Sequence, residues 1–114
     1  MTYQQEAKLF LEACKFSGDS LRVPPFEKIV PRNIFQNNQD LREVKFSEGV
    51  EEIGEEAFKA CRGLDVLTLP KSLKHLGSGC FSGCLSLRNV SMSLETIQSI
   101  GTNPFGESAF NKEC

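Results

Sequence analysis

The stretch that decides the fold runs from Phe46 to Leu64, FSEGVEEIGEEAFKACRGL. Gly54 interrupts its hydrophobic run, with two glutamates on each side. Taken alone, the stretch admits a broken amphipathic helix or an acidic metal-binding turn. Self-similarity resolves the choice. SLKHLGSGCFSGCLSL (72–87) repeats GVEEIGEEAFKACRGL (49–64) position by position, 23 residues on. Leu41, Val44, Phe46, Val50, Ile53, Gly54, Ala57, Phe58 and Cys61 fall on Leu64, Leu67, Leu69, Leu73, Leu76, Gly77, Cys80, Phe81 and Cys84. In a third copy Leu87, Val90 and Met92 keep the offset of 23, and Ile97, Ile100, Gly101, Pro104 and Phe105 follow at 24. A degenerate copy precedes. There Leu21, Val23, Val30, Ile34 and Phe35 occupy the frame, Pro31 stands for the glycine and Asn38 for the cysteine.

One repeat has a readable physical form. LREVKF (41–46), LDVLTL (64–69) and LRNVSM (87–92) each read apolar-x-x-apolar-x-apolar. The closing alternation predicts a short strand with one buried face. A turn follows, SEG or PKS, then a second extended piece, VEEI or LKHL. The glycine then marks a backbone reversal. In EEAFKAC, Ala57, Phe58 and Cys61 fit a single helical turn folded onto the core, with Glu55 and Glu56 at its positive end and Arg62 past its other end. One such unit cannot bury its apolar side alone, whereas stacked units share columns of side chains.

LxxLxLPxxLxxIGxxAFxxC, carried nearly whole by LTLPKSLKHLGSGCFSGC (67–84), resembles the BspA-like (Treponema pallidum-type) leucine-rich repeat over roughly residues 21 to 110. The resemblance implies an α/β solenoid with short parallel strands on its concave face and short helical turns. It also implies binding of macromolecules rather than catalysis, and family members on bacterial surfaces are linked to adhesion.

Exposed solenoid ends need caps. Residues 1–18 are read as an N-terminal capping helix. Thr2 and Gln5 make a capping-box pattern, Tyr3, Ala7, Phe10, Leu11 and Cys14 form one stripe, and Gly18 is the stop signal. Residues 19–114 form the repeat domain, divided at about 19–40, 41–63, 64–86 and 87–110. The last copy exchanges its cysteine for Ser108, and its end is the expected place for self-association.

Thirteen Lys+Arg against fifteen Asp+Glu give a net charge of −2, which lacks the basic footprint that nucleic acid requires. Nine Phe with no Trp and one Tyr read as core rather than as a stacking platform. No apolar run approaches the roughly 20 residues of a membrane helix. The N-terminus MTYQQEAKLFLEACKF has no signal-peptide pattern, so a cytoplasmic setting is expected, or the cell surface for a piece of a longer exported protein. Five cysteines, an odd count, argue against a closed disulfide framework.

The repeat accounts for most candidate chemistry. Cys61 and Cys84 share a column, and with Cys80 and His75 they fall short of a structural zinc ligand set. They read as small apolar core residues. His75, the one histidine, reads as solvated, and no Ser or Cys nucleophile has an evident partner for it. Glu51, Glu52, Glu55 and Glu56 lack the alternation of a calcium loop, and GSGCFSGC lacks the GK[ST] of a phosphate loop. No catalytic residue, metal or cofactor is therefore assigned.

The candidate binding surface is the concave strand face. Its outward residues are Arg22 in the first copy, then Glu43 and Lys45, Val66 and Thr68, and Asn89 and Ser91. They form a small, mixed surface without concentrated charge. The expected function is a non-enzymatic interaction module that takes a protein or glycan partner on this face. The alternatives are a self-associating scaffold or fragment of a longer surface adhesion array, and a thiol-dependent enzyme.

Overall fold

The computed structural model describes residues 2–25, 27–91 and 96–106. The helix α1 (Tyr3–Ala13) comes first, followed by β1 (Lys15–Ser17), β2 (Ser20–Val23) and β3 (Ile29–Val30). Then come β4 (Glu43–Phe46), β5 (Glu52–Ile53), β6 (Val66–Thr68), β7 (His75–Leu76), β8 (Asn89–Ser91) and β9 (Ser99–Ile100). Successive coils lay their strands side by side in two sheets, ordered β1-β2-β4-β6-β8 and β3-β5-β7-β9. Every pairing is parallel except β1 with β2.

The register is the repeat of the sequence. Val44 pairs Leu67 and Leu67 pairs Val90 in the first sheet, and Ile53 pairs Leu76 in the second. Leu76 then pairs Ile100, so the inserted residue is absorbed between β8 and β9. Met92 and Ser108, both placed in the repeat frame above, lie outside the described residues.

The third wall is a stack of turns. The expected helical turn at Glu55–Cys61 takes a different form, because its N–H groups are shared between two uses. Ala57, Lys59 and Cys61 donate to the carbonyls of Gly54, Glu56 and Phe58, three residues back. Glu56, Phe58 and Ala60 donate instead to Ser78, Cys80 and Ser82 of the next coil, at 2.9, 2.8 and 2.7 Å. A helix would direct all of them inside its own segment. In the first three coils the alternation forces two residues each into the left-handed region. These are Asn33 and Asn37, then Glu56 and Ala60 (φ 55° and 62°), then Gly79 and Gly83. Asn and Gly tolerate that conformation, whereas Ala does so at a cost of about 1–2 kcal/mol.

The walls enclose one core. Its axis is a stack of Phe35, Phe58, Phe81 and Phe105, with ring centroids 5.2, 5.3 and 5.5 Å apart. Phe10 of α1 meets Phe35 edge-on at 6.3 Å, so the helix closes this end of the stack. Thr2 and Gln5 form the capping box, and the Tyr3 hydroxyl donates to the Arg32 carbonyl. Tyr3, Ala7, Phe10 and Cys14 are wholly or partly buried, but Leu11 is exposed. Gly18 does not stop the helix. The chain leaves α1 at Cys14, and Gly18 (φ 62°) sits in the tight turn of the β1–β2 hairpin, between the paired Ser17 and Ser20.

The repeat glycines have another cause than reversal of the chain. A Cβ on Gly54 would lie 2.6 Å from the Arg32 nitrogen, and one on Gly77 would lie 2.6 Å from the Glu55 nitrogen. The backbone of each coil crosses the preceding one here with no room for a side chain. Gly54 and Gly77 also donate their N–H groups to Val30 and Ile53 of the coil before. Pro31, their counterpart in the first coil, has α1 beside it instead of a coil, so neither demand applies.

Gly77→Ala is expected to lose about 2–3 kcal/mol or more, through overpacking against backbone. Gly18→Ala, with open space around its Cβ, is expected to lose only about 1 kcal/mol. Ala60→Gly reverses the usual sign and gains about 0.5–1 kcal/mol by relieving the left-handed alanine. Urea unfolding of the three variants checks the order.

Candidate functional site

In the five-stranded sheet, inward and outward residues alternate along each strand. Leu21, Val44, Leu67 and Val90 form the inward column shared by β2, β4, β6 and β8. The outward residues form two rows across the strands. Arg22, Lys45, Thr68 and Ser91 make one, and Ser20, Glu43, Val66 and Asn89 make the other. All seven residues expected on this face lie on it, and Ser20 joins them as the register partner of Glu43. The Ser20 hydroxyl donates to Glu43 Oε1 at 3.2 Å.

The hairpin adds what the repeat frame did not foretell. β1 pairs antiparallel with β2, setting Lys15 opposite Arg22 and Ser17 opposite Ser20. The first row therefore reads Lys15, Arg22, Lys45 on three adjacent strands. Charge is concentrated here, against the even mixture expected from the repeats alone. A depression of about 370 Å³ opens at this corner, lined by Lys15, Ser17, Ser20, Arg22, Glu43 and Lys45, with Leu21 also contributing. The signal missed in the sequence was Gly18-Asp19, a two-residue hairpin turn.

On the second sheet, His75 and Ser99 are register partners, and His75 Nδ1 lies 2.9 Å from Ser99 Oγ. The histidine thus has a serine neighbour that its sequence surroundings did not reveal. Among the described residues no third group is hydrogen-bonded to the imidazole, so the pair lacks the orienting partner of a triad. The acidic group is dispersed. Glu56 bonds Lys59 at 3.1 Å and Glu51 faces Lys74 at 3.9 Å. Among the described residues no three His, Cys, Asp or Glu side chains converge as a metal site does. Nor is any described helix long and apolar enough to cross a membrane.

The thiols belong to the core. Cys61 Sγ donates to the Phe35 carbonyl at 3.1 Å, and Cys84 Sγ to the Phe58 carbonyl at 3.2 Å, each reaching the coil before. Asn38, in the same column of the first coil, has no such carbonyl to reach. Its Oδ1 accepts instead from the N–H groups of Asp40 and Leu41. Burial pushes the Cys80 thiol up to about 12. Burial and then the Glu27 charge do the same for Cys14. The Cys84 thiol is also raised, first by its contact with Cys61 and then by burial. The shifts of Cys14, Cys80 and Cys84 are the reverse of those that activate a cysteine nucleophile, whereas the Cys84 contact lowers Cys61, which is itself fully buried.

The pattern described as the BspA type leucine-rich repeat region, in six copies, matches residues 11–113. The chain is similar to the crystal structure of the pneumococcal vaccine antigen PcpA, with a TM-score of 0.76 and 25% identity over 81% of its length. It is also similar to a leucine-rich repeat protein from Bacteroides ovatus, with a TM-score of 0.68 and 27% identity over 83% of its length. The chain spans 22% of the first structure and 31% of the second. No match to a curated protein was found.

Cys14, Cys61, Cys80 and Cys84 are expected to stay silent toward a thiol reagent in the native state and to react on unfolding. A thiol whose folded pKa exceeds its unfolded value stabilises the fold below the unfolded pKa and ceases to as pH climbs through the folded one. Stability is therefore expected to fall as pH rises from the ordinary 9.0 toward about 12. Native-state labelling of Cys80, or alkaline stability that stays flat, would contradict this.

Proposed function

The chain belongs to the BspA type leucine-rich repeat family, and from that premise we propose that it is a non-enzymatic interaction module. It takes a protein or glycan partner on the outer, concave face of the five-stranded sheet. One observation carries the reading. The inward column of this sheet is aliphatic in every coil, whereas the two outward rows change residue from coil to coil. Packing fixes the former and places no demand on the latter. The result is a rigid surface whose chemistry is free to be selected, and repeat folds use such surfaces for recognition. Little ordering entropy is lost on binding, because the strands are already held in register.

A second reading is self-association. Ile100 on β9 is 53% exposed, and β8 and β9 are the last strands of both sheets among the described residues.

A photocrosslinking amino acid placed at Thr68 or Asn89 in the native cell is expected to capture a partner. The same group at Glu52 or Ser99, outward on the second sheet, is expected to capture none. Equal adducts from both sheets would overturn the assignment of the face. Adducts of the chain with its own copies would establish self-association in its place.

A further inference from the structure

Lys15, Arg22 and Lys45 stand side by side on three adjacent strands. Like charges at neighbouring positions of a sheet destabilise it. All three side chains are exposed, and among the described residues none takes part in an ion pair. Fold stability does not ask for this row. An edge lysine that deters strand pairing accounts for Lys15, but Arg22 and Lys45 lie on interior strands. The same three residues line the depression of about 370 Å³.

Resting on the reading of the outer sheet face as the binding face, we infer that this corner binds an acidic peptide segment. The row spans two strand spacings, about 10 Å, and side chains on one face of an extended peptide recur about every 7 Å. Two acidic residues separated by one position therefore reach all three cations. Arg22 offers the paired donors that hold a carboxylate in a fixed orientation. Ser17 and Glu43 supply a hydroxyl and an acceptor for the peptide backbone. A long polyanion is the poorer match. The cations number three, Glu43 sits among them, and the whole chain carries −2. Polyanion binding rests on an extended basic footprint.

The test is fluorescence anisotropy of a labelled peptide of alternating glutamate and glycine, with its glutamine counterpart as control. The glutamate peptide is expected to bind and the glutamine peptide to fail. Arg22→Gln and Lys45→Gln are each expected to weaken binding about tenfold, whereas Lys71→Gln leaves it unchanged. Binding is expected to fall as salt rises from about 0.02 to 0.2 M. Thermal melts of the variants confirm that they fold. Equal binding of the two peptides overturns the proposal. So does tighter binding of dextran sulfate that is lost in the same variants, which marks a polyanion site. If the peptide fails while Thr68 and Asn89 still crosslink a partner, the acidic specificity falls and the binding face stands.

Discussion

The structure depends on backbone hydrogen bonds that pass from each coil to the next at one fixed separation. Two walls make them as parallel ladders, and the third makes them through every second N–H of its turns. Unpaired buried amides are costly, so a residue added within any wall would displace all the bonds that follow. That is why the period holds at 23 from β2 to β8, and why the one extra residue falls between β8 and β9, outside both strands. The turn wall sets the strictest terms. Its alternating bonds require left-handed residues, and the closeness of the coils leaves Gly54 and Gly77 no space for a Cβ.

Once the coils are held at that spacing, equivalent side chains must touch. The phenylalanines stack with nearly parallel rings, 11° and 9° apart for the last two pairs, because translation along the solenoid repeats each ring almost unrotated. Cys61 and Cys84 follow the same logic, each bonded to a carbonyl of the coil before. The first coil departs from the pattern where a preceding coil would be needed. Pro31 replaces a glycine with no N–H to donate, and Asn38 replaces a cysteine with a carboxamide that serves its own coil. Its degeneracy is the consequence of meeting helix α1 rather than another repeat.

This also explains what could be read in the sequence. Strand positions, their register and the outward residues Glu43, Lys45, Val66 and Thr68 all follow from periodicity, which every copy states again. The turn wall was harder, because Ala57, Phe58 and Cys61 have the spacing of a helical turn. Nothing in Glu56 or Ala60 announces a positive φ. Outside the repeat there was no second copy to consult. Gly18 therefore read as the end of a helix, although a two-residue turn joins β1 to β2. Leu11 sat on the apolar stripe, yet Tyr3, Ala7, Phe10 and Cys14 cover the first coil and leave Leu11 exposed.

The candidate site inherits that division. Its row of cations joins two repeat positions, Arg22 and Lys45, to Lys15 from a strand with no repeat equivalent. Within the frame, Arg22 and Lys45 are merely variable outward residues, soon followed by Thr68 and Ser91. The hairpin turns them into a cluster by setting a third cation beside Arg22, where Lys15 and Ser17 also line the depression. Charge repulsion opposes the arrangement and the core is indifferent to it. Packing and hydrogen bonding account for the inward columns, the glycines and the buried thiols, and they leave Arg22 and Lys45 without a role in the fold.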